Sequence, residues 1–321
     1  MEELLDIKDK KILYELDMGA RQSLSAIAKK VGLSREVVYY RIQQLEKKGV
    51  IEGYYTALDV SKLGLIYCRF FLKYRVMLHE SEEKLLEYCK KSSLITWVAL
   101  GEGKWDITIV ILAKNLGEIE TLYDDLSSKF GAYFQNPYLT IAFRIYHYKH
   151  NYLYGTEDTK ELILGENIPV KVDHIDLAII HVLSSNARMS IIDIAKKLSN
   201  SPKTVDYRIR NLIKKEVIIG FRTKLNTRLL GYDHQKVFLT LQNFTKEKQK
   251  KLHTYLRLHP SVIYITKPMG MHNLEFEIMV KGTNELHEFI REFKSQFSDI
   301  IIDYDTMLNY AEPLLEYIPK V

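Results

Sequence analysis

Cysteine, long apolar runs and a signal sequence are scarce or absent in this chain of 321 residues, and each absence narrows its class. The two cysteines, Cys68 and Cys89, lie far apart in apolar settings, which favours buried thiols in a reducing cytoplasm over a disulfide. No apolar run approaches the roughly 18 residues that a membrane span needs. Residues 1–3 include two glutamates, whereas a signal peptide begins with basic residues and an apolar stretch. We therefore expect a cytoplasmic protein with no membrane partner.

Motifs for cofactor, metal or phosphate chemistry are also missing. Gly101 and Gly103 are not followed by a third glycine at the dinucleotide-binding spacing, and no GxxxxGK[ST] loop occurs. His147 and His150 are three residues apart in a predicted strand, which would send their side chains to opposite faces and argues against a metal site there. The sequence therefore predicts neither an enzyme nor a bound cofactor.

The most informative stretch, residues 23–53, is typical of two short helices, a tight turn between them and the start of a β-hairpin. Ser23 and Ser34 suit the N-caps of the two helices, and Gly32 suits the left-handed backbone that ends the first. Apolar residues recur at one-face spacing in both helices: Ile27, Ala28 and Val31 in the first, and Val38, Ile42 and Leu45 in the second. The pattern predicts a winged helix-turn-helix with its wing over about 50–58. A helical hairpin that never meets nucleic acid is the alternative.

The charge and polarity of this stretch favour DNA as a partner. The outward face of the second helix carries side chains that can hydrogen-bond base edges in a major groove, namely Arg35, Glu36, Tyr39 and Gln43. The net charge of the chain is only +5. However, residues 170–225 carry 11 Lys and Arg against 5 Asp and Glu, and such a concentration suits a surface for DNA phosphates.

The chain repeats itself with an offset of 167 residues, which places Asp173 on Asp6. Over residues 5–65 the two copies share roughly 26 identities in about 60 positions without a gap, which is too many for chance. The same offset places Gly270 on Gly103, so the repeat extends well beyond the helix-turn-helix. Each half is thus one complete unit.

Beyond Gly64 the hydrophobic pattern changes from helical to mixed. Strands and helices follow in the order βαββαβ, which predicts a ferredoxin-like α+β domain with one antiparallel sheet and two helices on one face. The open face of that sheet needs a cover, and the sheet of the second unit is the natural one. The predicted domains are a winged helix-turn-helix over 1–60, a ferredoxin-like domain over 61–150, a linker over 151–171, a second winged helix-turn-helix over 172–227 and a second ferredoxin-like domain over 228–321.

The first unit reads LDxxDxxIL, then AR.S, IA..VGLS and RI..LE..GVI.GY, and its second domain carries Gly103, Trp105 and Asp106 in a G-x-W-D loop. This combination resembles the Lrp/AsnC, or feast/famine, transcription regulators, which have one such unit per chain where this chain has two. The resemblance implies binding to double-stranded DNA, pairing of two ferredoxin-like sheets, and a pocket for a small molecule such as an amino acid. We expect the tandem to make that pairing within one chain, as a pseudo-dimer that is open to further homo-oligomeric assembly.

Candidate DNA contacts follow from this resemblance and from recognition helices predicted over 34–47 and 201–214. They are Arg21, Ser34, Arg35, Glu36, Tyr39, Arg41, Gln43, Lys47 and Lys48 in the first unit, and Arg188, Ser201, Lys203, Asp206, Arg208, Arg210, Lys214 and Lys215 in the second. Lys29, Lys30, Lys196 and Lys197 are further candidates for phosphate. Because the two outward faces differ, we predict an asymmetric DNA site. For Arg41 and Arg208 an intradomain salt bridge is the alternative.

The candidate effector site that the resemblance implies consists of Gly101, Gly103, Trp105 and Asp106. Asp106 suits an ammonium group and Trp105 an apolar side chain, and a purely structural turn is the alternative. Two other functions stay open. Sirohaem decarboxylases share this architecture and use histidines in this domain, which draws attention to His234 and His272. A ligand-sensing protein without DNA binding is the third possibility.

Overall fold

The first half of the chain forms one helix-turn-helix unit and one ferredoxin-like unit. The computed structural model describes residues 5–135, 137–156, 158–165, 168–243 and 245–319. The helix-turn-helix consists of Ile7–Asp17 (α1), Leu24–Val31 (α2), Arg35–Lys47 (α3) and the strand Ile51–Leu58 (β1). The ferredoxin-like unit consists of Ile66–Leu72 (β2), His79–Lys91 (α4), Ile95–Gly103 (β3), Ile107–Ala113 (β4), Leu116–Phe130 (α5) and Tyr138–Tyr148 (β5).

The second half repeats this order after a connecting strand, Glu161–Leu164 (β6). Its helix-turn-helix consists of His174–Ser185 (α6), Ile191–Lys197 (α7), Pro202–Lys214 (α8) and Ile218–Leu225 (β7). Its ferredoxin-like unit consists of Asp233–Leu241 (β8), Lys246–Leu258 (α9), Val262–Met269 (β9), Leu274–Val280 (β10), Thr283–Gln296 (α10) and Ile301–Leu315 (β11). The predicted fold class, two winged helix-turn-helix regions each followed by a ferredoxin-like βαββαβ unit, is confirmed.

Side-chain caps define where the helices begin. Asp6 and Asp9 form a capping box at α1, and the offset pair Asp173 and Asp176 forms the same box at α6. The turn between α2 and α3 needs one left-handed residue, and Gly32 supplies it with φ 67°. In the second unit Ser199 adopts φ 51° at the equivalent position. The turn therefore keeps its shape although the glycine is lost.

The wing differs from the predicted hairpin. Strand β1 pairs antiparallel with β7 of the other unit, and these two strands form a separate two-stranded sheet. The prediction of a hairpin within one unit was wrong because each unit supplies only one wing strand and takes its partner from the other unit. We call the β1–β7 pair the wing sheet.

The two ferredoxin-like sheets join edge to edge and close into a barrel. The strand order is β5-β2-β4-β3 in the first unit and β11-β8-β10-β9 in the second. Strand β3 pairs with β11, and β9 pairs with β5, so each sheet edge is completed by the other unit. Closure removes the exposed strand edges that open sheets otherwise present to other chains.

Alternation along each strand decides what the barrel encloses. In β2, Phe70 packs outward in the core beneath α4 and α5, whereas Arg69 and Phe71 point inward. The linker prediction over 151–171 corresponds to a short 3₁₀ turn at Asn151–Leu153 and to β6, which pairs with β5. Glu157 of that linker lies outside the described residues. No helix in the described part of the chain is long and apolar enough to cross a membrane.

Candidate nucleic-acid interface and barrel cavity

The two helix-turn-helix units are joined by contacts that obey the 167-residue offset. Among the hydrogen bonds that cross between the units, four form two equivalent pairs. They are Ala20 N to Phe221 O at 3.0 Å with Ala187 N to Tyr54 O at 2.9 Å, and Thr56 Oγ1 to Leu183 O at 2.7 Å with Thr223 Oγ1 to Leu16 O at 3.0 Å. The units are therefore related by a pseudo-two-fold axis, and backbone groups and threonine hydroxyls hold them together across it.

At this axis the symmetry is broken by a buried ion pair. Tyr55 pairs with Arg222, its own equivalent, at the centre of the wing sheet. The guanidinium of Arg222 donates to Asp17 Oδ1 at 2.7 Å, and both side chains are fully buried. Burial by itself would raise the pKa of Asp17, but the charges of Arg222 and His150 hold it below its usual value. The position equivalent to Asp17 is Ser184, so only one half carries this pair.

Four arginines predicted to contact DNA make contacts within the protein. Arg21 Nη1 donates across the unit interface to the carbonyl of Met189 at 2.8 Å and to that of Ala187. Arg41 forms 2.8 Å ion pairs with Asp6 and Asp9, and Arg208 forms the same pairs with Asp173 and Asp176, also at 2.8 Å. These arginines tie helices together, which for Arg41 and Arg208 is the alternative that the sequence left open. Arg188 lies over the ring of Tyr54 at 4.9 Å and belongs to the same interface.

The recognition helices expose most of the polar side chains predicted for base and phosphate contacts. Ser34 and Ser201 act as N-caps, since their hydroxyls accept Val37 N–H and Thr204 N–H. Exposed along the two helices and their C-terminal ends are Arg35, Glu36, Tyr39, Gln43, Lys47, Lys48, Lys203, Arg210 and Lys214. Arg210 forms an exposed ion pair with Asp206 at 2.8 Å, and Lys215 donates to the carbonyl of Lys171. Lys29, Lys30, Lys196 and Lys197 are exposed at the ends of α2 and α7.

Two exposed tyrosines on these helices were missed from the sequence. Tyr40 is 61% exposed and its offset equivalent Tyr207 is 69% exposed, although both lie on helices with buried apolar faces. Large aromatic side chains are seldom left so open to water without a partner to cover them. The signal was present in the sequence, because tyrosine is retained at this position while the neighbouring Tyr39 changes to Asp206.

The predicted effector loop is a tightly packed turn. Both carboxylate oxygens of Asp106 are engaged, one by Lys73 Nζ and the other by Tyr74 N–H, each at 2.7 Å. Trp105 is 6% exposed and stacks on Tyr138. A Cβ on Gly103, whose φ is 126°, would lie 2.4 Å from Thr306 O. The structural-turn alternative accounts for all these contacts, and the effector role of Gly101, Gly103, Trp105 and Asp106 remains a prediction.

The barrel encloses a chain of alternating charges that sequence reasoning missed. Arg69 pairs with Glu275, Lys236 Nζ contacts Glu275 at 3.0 Å and Glu277 at 2.8 Å, and His234 Nε2 lies 2.7 Å from Glu277. Burial alone would raise the pKa of Glu277, but Lys236 and His234 hold it well below its usual value. These charged residues lie on β2, β8 and β10, which are far apart in the sequence, so no local motif predicts that they are in contact.

Between this chain of charges and the wing sheet lies a cavity of about 230 Å³. Its lining includes His147, His150 and His234 together with Lys236 and Tyr55. The prediction that His147 and His150 face opposite sides was wrong, because β5 ends at Tyr148 and His150 no longer follows strand alternation. Burial lowers the pKa of His147 to about 3 and that of His150 to about 4. Among the described residues, no group of three or more His, Cys, Asp or Glu side chains is placed to hold a metal ion.

Known proteins resemble both the halves and the whole. A family model described as winged helix-turn-helix DNA-binding matches residues 5–52 and again 172–219. The chain is 34% identical over 120 residues to an HTH-type transcriptional regulator of Pyrococcus furiosus, covering 37% of this chain and 80% of that protein. It is 35% identical over 131 residues to the HTH-type transcriptional regulator LrpA of Pyrococcus horikoshii, covering 40% of this chain and 87% of LrpA.

The chain belongs to the Lrp/AsnC family of transcription regulators. The family resemblance drawn from the sequence, two fused units included, is thereby confirmed. Across its whole length this Lrp/AsnC protein also shares its fold with the siroheme decarboxylase NirDL, whose crystal structure contains an iron-uroporphyrin III analogue. The TM-score is 0.63 at 11% sequence identity, over 98% of this chain and 94% of NirDL. At that identity the likeness concerns the fold alone.

Proposed function

We propose that this Lrp/AsnC protein is a transcription regulator that binds double-stranded DNA as a single chain, with α3 and α8 as its two recognition helices. The observation that supports the proposal is the wing sheet, in which a strand of one helix-turn-helix unit pairs with the equivalent strand of the other. Recognition helices related by a two-fold axis suit two half-sites on one face of a duplex. The joined barrel keeps the units together without a second chain.

We propose further that the DNA site is asymmetric. The first unit offers Arg35, Glu36, Tyr39 and Gln43 to base edges, whereas the second offers Lys203, Asp206 and Arg210. Lys47, Lys48 and Lys214 at the ends of the helices are the candidates for phosphate. Different donors and acceptors at equivalent positions prefer different base pairs.

Selection from random duplexes, followed by alignment and gel retardation, tests both proposals. The expected outcome is a site with two unlike halves. A double variant, Lys203→Ala with Arg210→Ala, should then lose about 1–3 kcal/mol for each lost base contact and relax specificity in one half only. A strict inverted repeat would refute the asymmetry. No retardation of any duplex in dilute salt would refute DNA binding itself.

A tetrapyrrole decarboxylase is the second candidate, favoured by the fold shared with NirDL and by the histidines that line the cavity. Size argues against it. The cavity measures about 230 Å³, and a cavity of about 150 Å³ accommodates one benzene, so a macrocycle of four pyrrole rings is several times too large. His272 does not line the cavity but packs on Phe238 with ring centroids 5.1 Å apart. Titration with sirohaem tests this: we expect no shift of the haem absorption band, and a saturable shift followed by release of CO₂ would establish the enzyme.

A further inference from the structure

The cavity lies where the barrel meets the wing sheet. Tyr55, Ala57 and Thr223 reach it from the wing sheet, while Val110 and Lys236 reach it from the barrel. The wing sheet and the barrel therefore both contribute to the wall of one cavity. Scaling from a cavity of about 150 Å³ that holds one benzene, a volume of about 230 Å³ admits a molecule of roughly nine non-hydrogen atoms.

Most of the lining is apolar, which defines one end of a suitable ligand. Leu58, Val60, Leu112 and Met279 contribute aliphatic surface. Tyr55 stacks in parallel on Tyr317, another lining residue, with ring centroids 4.4 Å apart. Such walls favour an aromatic or branched hydrocarbon body over a sugar or a nucleotide.

The polar part of the lining holds several hydrogen-bond donors beside three carboxylates, those of Glu277, Glu312 and Glu316. The ammonium of Lys236 has three N–H groups, of which two are directed to Glu275 and Glu277. The two oxygens of Glu277 are occupied by Lys236 and His234. Within the described residues, neither ring nitrogen of the buried His150 makes a hydrogen bond, and Nδ1 lies 3.6 Å from Asp17 Oδ1, although one of the two must carry a proton when the imidazole is neutral. A guest that brings acceptor oxygens would satisfy groups that the protein leaves unpaired.

We propose that this cavity binds a small monocarboxylic acid of about nine non-hydrogen atoms, its body apolar, and that the acid acts as an effector of the paired winged helices. The carboxylate contacts Lys236 and the neighbouring histidines, and the apolar body packs against Tyr55 and the aliphatic wall. The effector role rests on the proposed DNA-binding function. The binding site itself does not.

Acid binding is coupled to DNA binding because the wing sheet forms part of the cavity wall. Tyr55 lies at the centre of the wing sheet that joins the two reading units, so a ligand that orders Tyr55 acts on the contact that sets their spacing. By linkage, the factor by which the acid changes DNA affinity equals the factor by which DNA changes affinity for the acid.

Calorimetric titration of the full chain with benzoate, phenylacetate and 4-methylpentanoate tests the site, and the amide of each acid serves as a neutral match. We expect at least one acid to bind, and to bind about tenfold or more tighter than its amide, because a charge-assisted hydrogen bond is lost in the amide. Binding of the acid should be accompanied by proton uptake at His147 and His150, whose pKa values burial lowers, and this uptake is seen as a heat that depends on the ionisation enthalpy of the buffer. No saturable heat from any of the three acids, or equal affinity for acid and amide, would overturn the proposal.

Cavity-filling variants locate the site. Val110→Phe from the barrel side and Ala57→Leu from the wing side each add side-chain volume to the cavity. We expect either variant to weaken acid binding by about tenfold or more while thermal unfolding stays cooperative, which shows that the variant is folded. Unchanged affinity in a folded variant would place the acid elsewhere and overturn the assignment. Gel retardation on a selected duplex is then measured with and without the acid. An acid that binds but leaves retardation unchanged overturns the effector role, whereas a chain that never retards DNA but binds the acid refutes the DNA-binding function and leaves the site intact.

Discussion

Replacing Asp17 by asparagine should lower the free energy of unfolding by more than the small change in side-chain structure suggests. The substitution keeps the shape of the side chain but removes the negative charge that faces Arg222 at 2.7 Å in a fully buried position. A buried charge left without its partner costs about 3–5 kcal/mol, because its desolvation is no longer offset. Since this pair joins α1 to β7, the substitution weakens the interface between the two halves.

Urea unfolding of the variant measures that cost, and a matched control is available in the same unit. Asp6→Asn retains an N-cap side chain and removes only an ion pair in which Asp6 is 51% exposed, so we expect a change within about 1 kcal/mol. The pair also predicts a pH dependence. Because the pKa of Asp17 is lowered in the folded state, its contribution is complete above about pH 4 and is lost as pH falls through the folded pKa.

A double variant makes the test sharper. The other half of the wing sheet carries Tyr55 and Ser184 at the equivalent positions, so Asp17→Ser with Arg222→Tyr copies an arrangement that the same sheet already holds. We expect the double variant to be less destabilised than the sum of its two single variants, since it leaves no unpaired charge. If Asp17→Asn cost no more than Asp6→Asn, or if the two single effects were simply additive, the account of this buried pair would be wrong.

Three further predictions concern histidines, arginines and tyrosines. Folded-state pKa values of about 3 for His147 and about 4 for His150 mean that the unfolded chain binds these protons first, so stability should fall as pH falls below about 6.5, and His150→Gln should reduce that slope in urea titrations at several pH values. Arg208→Ala should lower stability by about 1 kcal/mol and leave the salt dependence of DNA retardation unchanged, whereas a slope reduced by about 0.9 would show a lost phosphate contact. Tyr40→Ala and Tyr207→Ala should each weaken DNA binding with a change in stability within about 0.5 kcal/mol, and unchanged retardation would assign these exposed rings to another partner.

The DNA-reading part of the molecule was largely predictable, because its signals are local. Caps such as Ser34, the left-handed Gly32 and the inner face with Val38 each depend on a few neighbouring residues. The contacts between the two units were not predictable in this way. Arg21 was a candidate for phosphate, and only the packing of one unit on the other shows that it donates to Met189.

The barrel interior was beyond prediction. Its charged chain joins Arg69 to Glu275, which are 206 residues apart, and no periodicity links two positions whose contact depends on the closure of eight strands. The same holds for the cavity, whose walls come from the wing sheet and from both ferredoxin-like units.

By itself, the sequence determined the repeat, the helix-turn-helix units and the order of strands and helices, since caps, turns and apolar periods act within a few residues of one another. Only the tertiary structure decided that each wing strand takes its partner from the other unit, that the two sheets close on each other, and that a cavity forms beneath the wing sheet. These features depend on which surfaces meet when two similar halves pack together. A difference between the halves, such as Arg222 opposite Tyr55, has a structural effect only at the axis where the two halves are in contact.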